Sequence, residues 1–279
     1  MKDTFERSCE HWSEAKRTEM DAFYALATTD YRILAEAMDW RSWLESRQEL
    51  VGDRSLKLLD VACGSGKFPV ALAAHAGLDQ ARIRPVAYSL LDPSAFSIAE
   101  ARAALPPMFE ADGEYEIPLQ QLDCPAGAFD IAWATHALYA ISPPELPLAM
   151  ERFIHAIGTD GIGVIAHASE QGHYIRFHRE FLSSFGGDLD QLYSSSEQVR
   201  SALEAEGASV EAHPLSYTNG APDSERAAVE GFLQRCAFDD RFSLDEMLSR
   251  QPLGDYLAGC LEKDQWRFPQ RVDLMIVTQ

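Results

Sequence analysis

Between about residues 12 and 48 the apolar positions fall at helical spacing: Trp12, Phe23, Leu26, Ile33, Leu34, Ala37, Trp40 and Leu44. The pattern predicts two helices, with Thr28-Thr29-Asp30 as the break and cap between them. From Leu56 the rhythm changes. Leu56 to Val61 is a short apolar run that ends in a glycine-rich turn, and Lys67 to His75 then reads as a helix. The unit recurs as Ile83 to Leu90 with Ser94 to Leu105 and as Phe129 to Ala134 with Pro144 to Ile157, before a strand at Gly161 to His167. Strands alternating with helices predict an α/β fold whose parallel sheet is covered on both faces.

Further along, Tyr174 to Phe185 and Ser196 to Glu206 read as helices and Ser209 to Leu215 as extended. Ser224 to Ala237 and Ser243 to Leu261 read as helices, and Val272 to Thr278 as a closing strand. The expected organisation is an N-terminal helical lid over 1–49 and a sheet domain over 50–279 with a helical insertion at about 222–262. Both additions are expected near the carboxyl ends of the strands.

Composition narrows the partners. The chain has 279 residues with 24 Lys+Arg against 44 Asp+Glu, a formal charge of −20. Such a balance repels phosphate backbones and anionic headgroups, so neither a nucleic acid nor a membrane surface is expected as partner. The longest acidic stretch lies between Arg102 and Arg152, which has no Lys or Arg; it reads as a solvated surface that also attracts cations. The first residues alternate charges without an apolar segment, so no signal peptide is expected. Cys9, Cys63, Cys124, Cys236 and Cys260 are scattered, without a CxxC, which fits reduced thiols in a cytoplasm. His167, His173 and His178 lack the HxxxH spacing that sets two imidazoles on one helical face, and no metal site is expected. The oligomeric state stays open between monomer and dimer.

The chemistry concentrates at Leu58-Leu59-Asp60-Val61-Ala62-Cys63-Gly64-Ser65-Gly66-Lys67. Glycines at a strand-to-helix turn let backbone amides approach a ligand. A phosphate-binding GxxxxGK[ST] loop fails here, because Val61 and Phe68 occupy the first glycine and the hydroxyl position. A dinucleotide GxGxxG fails at Pro69. The pattern that remains, an acid followed by (G/A)-x-G-x-G, resembles the first motif of class I S-adenosylmethionine (SAM) methyltransferases. A βα turn with packing glycines only is the plainer alternative. The next strand ends in Asp92-Pro93-Ser94, and a carboxylate there suits the two hydroxyls of a ribose; taken alone, Asp92 reads equally well as a helix N-cap. The segment Phe129-Asp130-Ile131-Ala132-Trp133-Ala134-Thr135-His136-Ala137-Leu138-Tyr139 resembles the fourth-strand segment of the same family.

The resemblance covers about 56–168 and is nearest to the histamine N-methyltransferase-like branch, with weaker similarity over nearly the whole chain. It implies a Rossmann-like class I methyltransferase fold, a mostly parallel seven-stranded sheet with an antiparallel C-terminal strand. SAM is the implied cofactor, held by Asp60, Ala62, Gly64, Gly66, Asp92, Pro93, Ser97, Gln120 and Thr135, with Gln120 at the end of a strand from Tyr115 to Leu119. Asp30, His136 and Tyr139 are the implied catalytic residues. Tyr24, Tyr31, His173, Tyr174 and Gln270 are implied to line a small-molecule substrate. His136 replaces an amide of the branch, Gln270 replaces a shorter amide, and His173, Tyr174 and Phe177 stand in place of tryptophans. Tyr24, Tyr31 and Tyr139 also read as plain core aromatics, and His136 as a packing residue. The activity implied is methyl transfer to an amine. The alternatives are O- or S-methylation, attack on another carbon of SAM with release of methylthioadenosine, and a non-catalytic binding subunit.

Overall fold

The structure, a computed structural model, describes residues 4–78 and 83–279; residues 1–3 of the expected lid lie outside it. Its sheet runs β3-β2-β1-β4-β5-β8-β6, with a two-residue strand β7 (Leu261–Glu262) paired to β8. β1 (Leu56–Val61), β2 (Val86–Leu91), β3 (Phe109–Tyr115), β4 (Ile131–Thr135) and β5 (Ile162–Ala168) are parallel. The last strand, β8 (Gln265–Thr278), enters antiparallel between β5 and β6 (Ser209–Pro222). The strand order reverses between β1 and β4, and a crevice opens beyond the carboxyl ends of strands at such a point.

Three cores explain the apolar pattern. One face of the sheet is covered by α3 (Trp40–Val51), α4 (Lys67–His75) and α5 (Ala95–Ala104), which bury Trp40, Leu44, Phe68, Leu72 and Ile98. The opposite face is covered by α6 (Leu146–Ile157) and α8 (Ser196–Ala205) through Phe153, Ile157, Val199 and Leu203. Because β4 and β5 are buried on both faces, their sequences read as continuous apolar runs. The third core lies over the carboxyl ends. It joins α2 (Arg17–Glu36) and α7 (His173–Phe185) with α9 (Arg226–Ala237), α10 (Leu244–Ser249), α11 (Leu253–Ala258) and the outer halves of β6 and β8. Gly231 of α9 would, with a Cβ, meet Ala22 of α2 at 2.8 Å, so these helices pack at close range.

Four expectations change. Thr28-Thr29-Asp30 is no break; it lies inside α2, because Met20, Tyr24, Ala27, Asp30 and Leu34 continue one buried stripe whose packing outweighs the weak helix preference of threonine. The break comes at Asp39, which caps α3 by accepting from the Ser42 amide at 3.1 Å. The strand placed at Tyr115 to Leu119 runs over Phe109–Tyr115 instead: Phe109 is anchored against Tyr88 and Trp133, while Glu110, Asp112 and Glu114 face outward on an edge strand. Gln120 therefore sits in a short turn, Leu119–Gln121. The helix placed at Ser243 to Leu261 is split into α10 and α11 at Pro252. Finally, β6 and β8 are 14 residues each and pair along their length, well beyond Leu215 and upstream of Val272. Among the described residues, no helix is long and apolar enough to cross a membrane.

Candidate active site

The turn after β1 takes an unusual backbone path. Ala62, Gly64 and Gly66 have φ of 51°, 52° and 69°. An L-residue in this region costs about 1–2 kcal/mol, so Ala62 is held there by its surroundings. Gly66 also lacks room: a Cβ would stand 3.0 Å from Ala101 Cα, where α4 meets α5. At Gly64 a Cβ would meet only Tyr24 Oη at 3.8 Å, so its glycine is required by φ rather than by packing. The Cys63 amide donates to Leu91 O at 3.0 Å and ties the tips of β1 and β2 together.

Asp92 completes that link. Its Oδ2 accepts from the Gly64 amide at 3.1 Å and its Oδ1 from the Ser94 amide at 2.9 Å. The N-cap of α5 is Ser94, whose hydroxyl accepts from the Ser97 amide at 3.2 Å, so Asp92 is not the helix cap. Asp92 is 7% exposed, and burial pushes its pKa up to about 6 against the hydrogen bonds from Ser94, Gly64 and Ser97. Asp60 is pushed up to about 7 by burial while accepting from Tyr88 Oη at 2.6 Å. Asp130 of the fourth-strand segment serves elsewhere: it pairs with Arg54 and accepts from the Lys57 amide at the opposite ends of β1 and β4.

The other side of the crevice is made of side chains. Asp30 of α2, 2% exposed, accepts from Tyr174 Oη of α7 at 2.5 Å and from Asn219 Nδ2 of β6 at 2.8 Å. Burial pushes its pKa up to about 6 in spite of these donors. His136, directly after β4, has φ of 54°, the second left-handed non-glycine residue at a strand end of the crevice. Its Nδ1 lies 2.9 Å from Tyr139 Oη and its Nε2 3.4 Å from Tyr217 Oη. Burial lowers its pKa to about 4, which leaves a neutral imidazole at physiological pH.

Between the two sides lies a cleft that opens to solvent. Of the residues singled out in the sequence, Asp60, Ala62, Gly64, Asp92, Pro93, Gln120 and Thr135 line it at one end. Asp30, Tyr31, His136, Tyr139 and Tyr174 line it at the other, while Tyr24, whose Oη accepts from Ser65 Oγ at 3.1 Å, stands beside the glycine turn. Gly66 and Ser97 stand behind the wall, the first in the α4–α5 contact and the second hydrogen-bonded to Asp92. His173 is fully buried among Phe177, Phe232 and Phe268, its Nδ1 2.7 Å from Tyr256 Oη. Gln270 is buried on β8 opposite Tyr217, and neither residue lines the cleft.

The sequence reading missed Trp12, Arg235, Tyr217 and Asn219. Arg235 is 2% exposed, lies over the Trp12 ring at 4.7 Å and donates to the carbonyls of His11 and Lys16, so it holds α1 (Thr4–His11) and the following turn over the cleft. No local motif marks an arginine that caps a helix more than 200 residues upstream. Tyr217 and Asn219 sit on the stretch of β6 beyond its expected end, where inward positions still alternate with outward ones.

No protein-family model matches the chain, and no curated protein matches its sequence. Solved structures do resemble it in shape. Magnesium protoporphyrin IX methyltransferase from Synechocystis, with S-adenosylhomocysteine (SAH) bound, aligns over 99% of this chain and 100% of its own at 12% identity, TM-score 0.58. The same enzyme with SAM bound gives 0.54 at 11% identity, over 100% of this chain and 99% of its own. The YcgJ protein of Bacillus subtilis gives 0.52 at 13% identity, over 84% of this chain and 96% of its own. With its strand order, its antiparallel last strand and these likenesses, the chain has the Rossmann-like class I methyltransferase fold.

Proposed function

We propose that the protein is an enzyme that transfers the methyl group of SAM to a small molecule, with an amine nitrogen as the acceptor and SAH as co-product. The observation that carries this reading is the left-handed turn at Ala62 and Gly64 tied by its own amide to Asp92, at the sheet position where a ligand crevice opens. Asp92 keeps unused lone pairs on both oxygens for ribose hydroxyls, and a turn with an alanine held at positive φ has been shaped for something other than packing. Bound SAM supplies a methyl group already activated on a sulfonium. The chain's task is to bind, align and keep water out. Ala62, Gly64, Asp60, Asp92, Pro93, Gln120 and Thr135 form the donor end. At the acceptor end, the faces of Tyr31, Tyr139 and Tyr174 stabilise cationic groups by about 0.5–2 kcal/mol each. Asp30 has accepted Tyr174 and Asn219 and retains capacity for an ammonium donor.

A hydroxyl acceptor is the second reading, favoured by a neutral His136 facing the cleft. The net charge of −20 and five cysteines outside any disulfide support a cytoplasmic protein without nucleic-acid or membrane partners. The test has two parts, titration calorimetry with SAH and incubation with SAM plus a metabolite extract, read by mass spectrometry. SAH with a methylated amine is the expected outcome. Methylthioadenosine in its place means that another carbon is attacked, and no SAH binding at all rejects the reading.

A further inference from the structure

Among the described residues no carboxylate pairs with Arg235, although it is 2% exposed and lines the cleft from the last turn of α9. Its Nη1 and Nη2 donate to the carbonyls of His11 and Lys16, and its guanidinium lies over the Trp12 ring. All three partners are neutral. Nε has no hydrogen-bond partner among the described residues. The acidic groups on neighbouring segments are engaged elsewhere, Glu19 and Asp240 with Lys16 and Asp239 with Arg241. A guanidinium kept from water without an anion is costly, and burial lowers its pKa to about 10. Tyr193, just ahead of α8, lines the same cleft at 3% exposure, and its hydroxyl also lacks a partner among the described residues. Its ring is fixed by stacking on His178 at 3.6 Å and by Phe238 at 5.6 Å, the C-cap of α9, whose amide donates to the Arg235 carbonyl. From Tyr193 a row of rings leads to Asp30: Tyr139 at 5.6 Å, then Tyr174 at 5.7 Å from Tyr139, which donates to Asp30. One end of this row is a carboxylate with room for an ammonium, and the other holds two orphaned donors, one of them charged.

We propose that Arg235 and Tyr193 form a carboxylate-binding subsite, so that the acceptor is an amine that also carries a carboxylate. The substrate class rests on the methyl-transfer reading, whereas the subsite stands on the two orphaned donors. The Nε–H of Arg235 and the hydroxyl of Tyr193 are two donors for the two oxygens of a carboxylate, and the positive charge gains its missing counter-ion. A doubly charged phosphate suits the cleft less, because Asp30, Asp60 and Asp92 line it as well. With its amine at Asp30 and its carboxylate at Arg235, such an acceptor is held at both ends, which fixes the nitrogen that faces the methyl group. A plain amine of the same shape leaves the guanidinium without an anion and is bound more weakly.

The test is nuclear magnetic resonance on the full chain with isotope-labelled arginine, saturated with SAH, the Arg235 Nε–H signal being assigned from Arg235→Lys. Sodium acetate is expected to move that signal to saturation, while acetamide and sodium chloride at the same concentration leave it in place. Tyr193→Phe removes a hydroxyl without a protein partner, so its melting temperature is expected to be retained while its acetate affinity falls roughly 3- to 10-fold. An unmoved signal, equal movement by acetamide or chloride, or unchanged acetate affinity in Tyr193→Phe overturns the subsite. SAH compared with its decarboxylated analogue separates acceptor from cofactor: a shift that only SAH produces gives the subsite to the cofactor's tail and overturns its assignment to the acceptor. The substrate class is read in the incubation with SAM and extract, where the methylated product is treated with acidic deuterated methanol. It is expected to gain the mass of a methyl ester, and a product that gains none overturns the class. Failure of SAH to bind rejects methyl transfer, and acetate titrated into the free protein then decides the subsite on its own.

Discussion

At the donor end of the cleft, backbone amides and two carboxylates act within a few positions of a glycine turn, whereas the acceptor end is assembled from single side chains on α2, α7, β6 and the turn after β4. The donor end is rigid because its conformation is written into positive φ values and a tie between two strand tips. The acceptor end is held by Tyr174 and Asn219 donating to Asp30 under a core of aromatic rings. The buried carboxylates, Asp30 of the acceptor end among them, and the buried histidines respond oppositely to pH. Asp60 and Asp92 have folded pKa values raised above the ordinary 3.8, so the stability they contribute is complete below about pH 4 and is lost as pH rises through 6 to 7. The cap over the acceptor end holds His167, His173 and His178, all fully buried and lowered to about 3 from 6.5. Their contribution is present above about pH 6.5 and lost as pH falls toward 3.

The largest expected effect follows from that opposition. Near pH 5 each of these histidines, and likewise His11 and His136, lowered to about 4, has lost roughly 2 kcal/mol of stabilisation relative to pH 7, while Asp30, Asp60 and Asp92 restore roughly 1–2 kcal/mol each. The net loss of about 4 kcal/mol is expected to lower the melting temperature by roughly 5–10 °C between pH 7 and pH 5, measured by scanning calorimetry; a flat profile would show that these histidines are not desolvated. Next in size, Asp92→Ala removes hydrogen bonds to a charged group, about 1.5–3 kcal/mol, and SAH affinity by titration calorimetry is expected to drop roughly 10- to 100-fold. Unchanged affinity would separate Asp92 from the donor end.

Asp60→Asn sharpens the comparison from the side of stability. An amide still accepts from Tyr88 but carries no charge to bury, so at pH 8 the variant is expected to melt at least about 3 °C higher than the wild type, the gain vanishing near pH 4. Equal melting curves at pH 8 would mean that Asp60 is well solvated. The smallest effect is a predicted absence. Asp30→Asn is expected to leave SAH affinity within about 2-fold while raising KM for an amine acceptor, since it belongs to the acceptor end alone. A large loss of SAH affinity would show that the two ends are one site.

These two constructions also decide what was legible in the chain. The donor end is local: Asp60 to Gly66 and Asp92 to Ser97 are short stretches whose spacing is their chemistry, and the alternation of strands and helices around them follows from burial on both faces of a sheet. The acceptor end has no such signature, because residues 30, 136, 174, 217 and 219 meet only after the third core has formed. A Thr-Thr-Asp run reads as a helix cap in sequence, and only the buried stripe through Tyr24, Ala27, Asp30 and Leu34 places Asp30 inside α2. Asn219 was invisible because Pro214 and Gly220 disguise a long strand that pairs with β8 throughout. His173 and Gln270 entered by analogy of position, and the aromatic packing around one and the strand register of the other keep both from the cleft.

Arg235 has a consequence for how the molecule is made. The guanidinium that fixes the carbonyl of His11 lies 224 positions later in the chain, and the strand that joins β5 to β6 follows later still. Closing loops of this length slows docking, and domains assemble from the N-terminus as they are synthesised. The first helix must therefore wait, with the cleft open, until α9 has been made. Any product truncated before α9 carries the glycine turn and Asp92 in sequence yet lacks the arginine that brings the amino terminus down over them.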